Sequence, residues 1–285
     1  MQQHALHRDK VDWSLIRREA GKRCTGAGTV EATYPAIKWA LAALGDGHSF
    51  FSPPHRGARA IEAGDYENEA QPPSGYVRAD GIPILSVPAF RGSPKLVSQY
   101  AQMMCSLIAD FARQRAPGWI VDLADNTGGN MMPMLAGLGP LLGVGTIGAF
   151  EFANHSQTPW QYDETGRLWL DHECVLRTSC TVDPVQQLSP VAVVIGPRTA
   201  SSGEAVVIAF SGRSRSRSFG LPTRGVSTSN ESFDLVDGAS LAITTARFAD
   251  RTGRVFGGAV YPDEPVSIPG PTTYDLAAHW VLSNA

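Results

Sequence analysis

The 285-residue chain has no apolar run approaching the ~18 residues that span a bilayer as a helix. Its four cysteines (Cys24, Cys105, Cys174 and Cys180) form no CxxC pair, which excludes a zinc ribbon and a thioredoxin-type redox motif. No excess charge is present either. Lys+Arg number 24 against 27 Asp+Glu, a net charge of -3, so there is no electrostatic footprint for nucleic acid or an anionic membrane. Lysine is scarce: Lys10, Lys22, Lys38 and Lys95 are all there are, and beyond residue 95 arginine stands in every such place.

What is present is core material. Hydrophobic residues make up 43% and charged residues 18%, which excludes disorder. Twenty-nine glycines and 20 prolines imply many turns and favour an α/β or β-rich body over a helical bundle. Cys174 and Cys180 could bridge in an oxidising compartment, but the expectation is four small buried hydrophobes or free thiols. Residues 1–12 lack the apolar stretch of a signal peptide.

Along the chain, Val30, Tyr34, Ile37, Leu41 and Leu44 recur at helical spacing, with Gly45 as a left-handed stop. Residues 53–80 are polar, rich in proline and glycine, and read as a linker. Ile82–Phe90, Trp119–Leu123 and Pro190–Ile195 are short buried strands, each followed by a helical stretch (Lys95–Arg113, Met131–Leu142 and Ala205–Phe210). That alternation predicts a mixed, largely parallel sheet with flanking helices. Phe233–Phe248 alternates around Asp237-Gly238, a hairpin signal, and Thr273–Ser283 closes with a helix. The Ser/Arg alternation of 211–218 reads as a solvated connection.

Ligands gather where parallel strands feed helix N-termini. Two loops there carry unusual chemistry. Asp122 to Asn130 (DLADNTGGN) pairs Gly128 and Gly129, which let backbone N–H groups face a ligand, although a GG pair is also an ordinary tight turn. Thr199 to Glu204 (TASSGE) sets Ser201 and Ser202 at a helix N-terminus, suited to a nucleophile that generates an oxyanion and equally to a plain N-cap. A third segment, Gly45 to Phe51 (GDGHSFF), carries His48, a possible base for such a serine.

Together the segments resemble one family. DLADNTGGN is similar to the DLRxNxGG stretch of the S41 peptidases, the C-terminal-processing and tricorn-like serine proteases. GPRTASSGE resembles their TASxxE segment, GDGHSFF their LxDxHS segment, and SFGLPTRG and VYPDEPV the G-x-PT-x-G and PDxxV stretches that follow. The five occur in the family's order over roughly residues 40–266.

The resemblance implies an S41-type, crotonase-like α/β core over residues 81–285, a small N-terminal helical part over 1–52 carrying the His segment, and a C-terminal β-hairpin region. It makes Ser201 the nucleophile, Glu204 the matching Glu, and the backbone N–H groups of Ser202 and of Gly128 or Gly129 the oxyanion hole. Processing proteases follow PTxG with a lysine. Here Val226 follows Gly225, and arginine cannot substitute because a guanidinium does not deprotonate near neutral pH. The tricorn-like branch takes its base from the segment matching GDGHS, which points to His48. The acid behind it is unassigned, with Asp46, Glu231 and Asp263 as candidates. A PDZ domain is excluded, because 53–80 is shorter than the ~50 residues a domain needs.

The expectation is therefore a serine endopeptidase acting on a peptide or protein, with no metal or organic cofactor, no membrane span and no nucleic acid. Export of a longer precursor follows from the resemblance. The alternatives are a non-catalytic binder of a small apolar ligand, as in retinoid-binding proteins of this fold, and a small ester or amide hydrolase.

Overall fold

The computed structural model describes residues 1–54, 71–181, 183, 188–266 and 270–285. Most of the 53–80 stretch read as a linker lies outside the described residues; the part inside includes a strand, Ser74–Val77. Two compact units divide the chain. One combines Met1–Ile61, Glu151–Ser156 and Thr228–Arg247; the other combines Glu62–Phe150, Gln157–Ser227 and Phe248–Ala285.

In the first unit, helix α1 (Trp13–Cys24) starts where Asp12 Oδ1 accepts from Leu15 N at 3.0 Å. The helix expected from Val30 is shorter than its periodicity. Residues Glu31–Thr33 form a 3-10 turn and α2 runs Tyr34–Ala42. Pro35 at the first turn explains this, since it suits a helix start and lacks the N–H an interior position needs. The hairpin read at Asp237-Gly238 is present. Strands β11 (Thr228–Asp234) and β12 (Ser240–Ala249) pair antiparallel, Gly238 turns at φ 82°, and β1 (Phe50–Ser52) joins the other side of β12. Ile16, Ala40, Leu41, Leu44 and Ile243 bury against one another as this unit's core.

The second unit holds a six-stranded sheet in the order β13 (Glu264–Pro265), β10 (Ser216–Gly220), β9 (Val191–Ile195), β4 (Trp119–Asp122), β3 (Pro83–Ser86), β2 (Ser74–Val77). All neighbours are parallel except β2 and β3. Strand β9 and the Trp119–Val121 stretch of β4 are continuous apolar runs, as burial on both faces requires. Helix α3 (Pro94–Arg113) buries Tyr100, Met104, Ile108 and Phe111 as one stripe. Helix α4 (Met131–Leu142) is buried along its whole length. Gly139 is obligatory within it, because a Cβ there would sit 2.0 Å from the Tyr162 ring. Helices α5 (Ser202–Phe210) and α6 (Pro271–Ser283) complete the layers.

Two expectations need correction here. The fold is mixed α/β, but the largely parallel arrangement belongs only to that six-stranded sheet. Strands β5 (Gly145–Phe152), β6 (Gln157–Tyr162), β7 (Arg167–Leu170) and β8 (Glu173–Arg177), which had no counterpart in the sequence reading, neighbour one another in order, with β6–β7 and β7–β8 antiparallel. The 211–218 run is not a solvated connection throughout. Its second half enters β10, and Arg213 is buried, donating to the carbonyls of Ser189 and Ser214. Burial and the neighbouring Arg251 push its guanidinium down to about 10.

The cysteines also differ from expectation. Cys180 is bridged to Cys105, 75 positions away, with their Cα atoms 5.6 Å apart; Cys24 and Cys174 are free. A link closing so long a loop stabilises by about 4 kcal/mol in the chain-entropy account. Cys105→Ser is therefore expected to lower Tm by on the order of 10 °C in a thermal melt under oxidising conditions. Melting at the wild-type temperature would contradict it.

Candidate active site

Because β4, β9 and β10 are adjacent and parallel, their carboxyl ends deliver three loops to one edge of the sheet. These are the GG turn after β4, the Ser201 turn after β9 and Pro222–Val226 after β10. Polar contacts tie them together. Asn126 O accepts from Ala200 N at 2.9 Å, and Asn126 Oδ1 accepts from Gly128 N at 2.9 Å. The Ser202 hydroxyl donates to Gly129 O. The sequence reading missed Asn126, a buried residue whose side chain holds the GG turn through Gly128 N and donates to Val87 O, and whose backbone carbonyl holds the serine turn.

Glu204 is the hub. One carboxylate oxygen takes the Thr223 hydroxyl and Gly225 N (2.9 Å), the other Ser201 N (2.8 Å) and Val226 N (3.0 Å). Burial pushes this carboxyl above the usual carboxylate range, and the four donors pull in the opposite direction. A glutamate three positions after Ser201 thus anchors the Ser201 turn to the Pro222–Val226 loop.

Ser201 itself sits at φ 52°, ψ −118°, a conformation that glycine adopts freely and serine at a cost of about 1–3 kcal/mol. The turn makes Ser202 the first residue of α5, and a first-turn N–H has no partner within its own helix. Among the described residues neither the Ser202 nor the Gly129 amide finds an acceptor, whereas that of Gly128 is committed to Asn126. The Gly128 carbonyl accepts from Phe90 N at 3.2 Å, so the Gly129 N–H of the same trans peptide points away from Phe90. Gly128 (φ 98°) lies against the serine turn: a Cβ there would be 2.9 Å from Ser201 Cβ and from Ala200 O. A pocket of about 380 Å³ opens beside the loop after β4 that leads into the GG turn, lined by Ser86, Pro88, Arg91, Asp122, Thr127 and Arg198 among others.

His48 belongs to the first unit. Its backbone N–H donates to Asp46 Oδ1 (2.9 Å), its carbonyl accepts from Asn230 Nδ2 (3.0 Å), and its ring Nδ1 lies 2.7 Å from Thr228 Oγ1. The three carboxylates weighed as its acid are engaged or placed as follows. Asp46 also binds Ser49 N (2.7 Å) and Ser49 Oγ (2.6 Å). Asp263 binds Ser218 N and Oγ, both at 2.8 Å, in the second unit. Glu231 is exposed on β11. Thr228 was missed, since no motif marks it. Among the described residues no cluster of His, Cys, Asp or Glu could hold a metal ion, and no helix is long and apolar enough to cross a membrane.

Comparison with known proteins agrees with this architecture. Residues 81–266 match the model of peptidase family S41. The nisin-resistance protein of Lactococcus lactis subsp. lactis is 25% identical over 283 residues, covering 99% of this chain and 84% of the relative. A lipoprotein from Streptococcus agalactiae superposes with a TM-score of 0.79 at 23% identity, over 100% of this chain and 93% of that one. The photosystem II D1 C-terminal processing protease superposes with a TM-score of 0.61 at 15% identity, over 93% and 90%. The two structural likenesses speak for the fold.

Proposed function

The chain belongs to peptidase family S41, and we propose that it is a serine peptidase with Ser201 as nucleophile and His48 as base. The carrying observation is the Ser201 turn. A strained serine stands at a helix N-terminus beside two amides that find no acceptor among the described residues, its backbone N–H held by a buried glutamate. In this reading His48 Nε2 takes the Ser201 Oγ proton as the oxygen attacks the scissile carbonyl. The Ser202 and Gly129 N–H groups hold the resulting oxyanion, the proton passes to the leaving amine, and water releases the acyl-enzyme. The pocket beside the GG turn supplies room for substrate side chains.

The likeness to a protein named for nisin resistance supports a peptide as substrate and makes nisin the first peptide to offer. The test is mass spectrometry of nisin and of a mixed peptide library after incubation with the protein. New termini that appear with wild type and not with Ser201→Ala support the reading; their absence from both, with no labelling by a fluorophosphonate, favours a binding protein of the same fold.

Gly128→Ala probes the serine turn while leaving every reacting group chemically unchanged. The added methyl must displace Ser201 or Ala200 and hold a left-handed backbone. Fluorophosphonate labelling of Ser201 is expected to slow by about 10–100-fold, the cost of misplacing a reacting group by a fraction of an ångström to an ångström. An unchanged rate would remove Gly128 from the site.

A further inference from the structure

We infer that Thr228 is the positioning residue of the His48 imidazole, in the role a carboxylate fills in the usual serine-hydrolase triad. The inference rests on His48 being the base and adds the group that orients it.

Both ends of the 2.7 Å contact between His48 Nδ1 and Thr228 Oγ1 are fixed. Thr228 is 5% exposed and opens β11, where it pairs with Arg247 of β12. The Arg247 guanidinium is turned to Glu151 Oε2 at 2.7 Å. The backbone of His48 is held at its N–H by Asp46 and at its carbonyl by Asn230. Asn230 is held in turn, its Oδ1 accepting from Thr244 Oγ1 at 2.9 Å. The remaining Asp46 oxygen is taken by the Ser49 hydroxyl. The ring therefore meets a hydroxyl at Nδ1, with the Asp46 carboxylate spent on the loop that carries it.

A hydroxyl does this work differently from a carboxylate. A carboxylate only accepts, so it forces the proton onto Nδ1 and leaves Nε2 as the basic nitrogen. Threonine both donates and accepts. Catalysis requires the arrangement in which Nδ1–H donates to Thr228 Oγ1 and the Thr228 proton points elsewhere. The Ser201 proton then moves to Nε2, the ring becomes imidazolium with Nδ1–H still donated to Thr228, and Nε2 releases that proton to the leaving amine. The opposite arrangement, with Thr228 donating to Nδ1, would put the resting proton on Nε2 and block the base.

The test uses the full chain, a fluorophosphonate probe and nitrogen-15-labelled histidine. In wild type, proton–nitrogen correlation spectra are expected to show neutral His48, identified by the signals lost in His48→Gln, as the Nδ1–H tautomer. Thr228→Val is expected to lower the maximal labelling rate of Ser201 by about 10–100-fold, as for a lost hydrogen bond to a group that becomes charged. The probe concentration at half-maximal rate should not move. Thr228→Ser should restore the rate to within about threefold, because it keeps the hydroxyl. An Nε2–H tautomer in wild type, or Thr228→Val labelling at the wild-type rate, overturns the inference. Wild-type labelling in His48→Gln would instead overturn the base assignment on which it rests. Should Thr228→Val fail to fold by circular dichroism, the wild-type tautomer and Thr228→Ser still decide.

Discussion

Ser201→Ala is expected to lower kcat for any peptide the wild type cleaves by about 10⁵–10⁶-fold while leaving a folded protein. The magnitude is that of removing the nucleophile of a serine peptidase, where the surviving oxyanion donors and binding contacts supply only residual catalysis. Folding should be preserved because the side chain is partly exposed and the Glu204 contact is made by the backbone N–H, which alanine keeps. The backbone offers a second readout. At φ 52° both serine and alanine are strained, whereas glycine is not. Ser201→Gly should therefore be equally inactive yet melt a few degrees above Ser201→Ala, the equivalent of about 1 kcal/mol. A Ser201→Ala protein with substantial activity would move the nucleophile elsewhere.

The second large effect is expected at His48. His48→Ala should cost a comparable factor, on the order of 10⁴–10⁶ in kcat, because a serine hydroxyl without a base is a poor nucleophile. The loop should survive, since Asp46 caps it through backbone N–H groups and the Ser49 hydroxyl, none of which involves the ring. On the proposed mechanism the neutral ring is the active form. The kcat/KM profile should then rise with pH through an acid limb in the pH 5–8 range where imidazoles titrate, and His48→Ala should lose that limb. A flat profile over the same range would speak against an imidazole base.

How much of this was legible in the sequence depended on the kind of residue. The apolar runs of β4 and β9 and the loops that follow them were readable, because strands buried on both faces are unbroken in hydrophobicity and their turns are marked by paired glycines or by TASSGE. The hairpin at Asp237-Gly238 was readable for a similar reason, since the turn chemistry is local. Strands β5–β8 were not. Stretches such as Gln157–Tyr162, with Pro159 in the middle, carry neither strict alternation nor a continuous apolar run. The Cys105–Cys180 bridge was hidden because a pairing between a helix and the segment following a strand, 75 positions away, is set by the tertiary fold, not by spacing. Within the site, Ser201, Glu204 and the GG turn announce themselves through motifs. Thr228 does not: it opens a polar strand, Thr228–Asp234, and gains its meaning only when the hairpin sets it beside His48 Nδ1.

Covalent labelling reads most directly whether Ser201 is an activated nucleophile. The wild-type protein is treated with a fluorophosphonate at neutral pH, digested, and the modified peptide sequenced by mass spectrometry. A single adduct on Ser201 is expected, with none on Ser202, whose hydroxyl is committed to the Gly129 carbonyl. An adduct on another serine, or none on a folded protein, would contradict it.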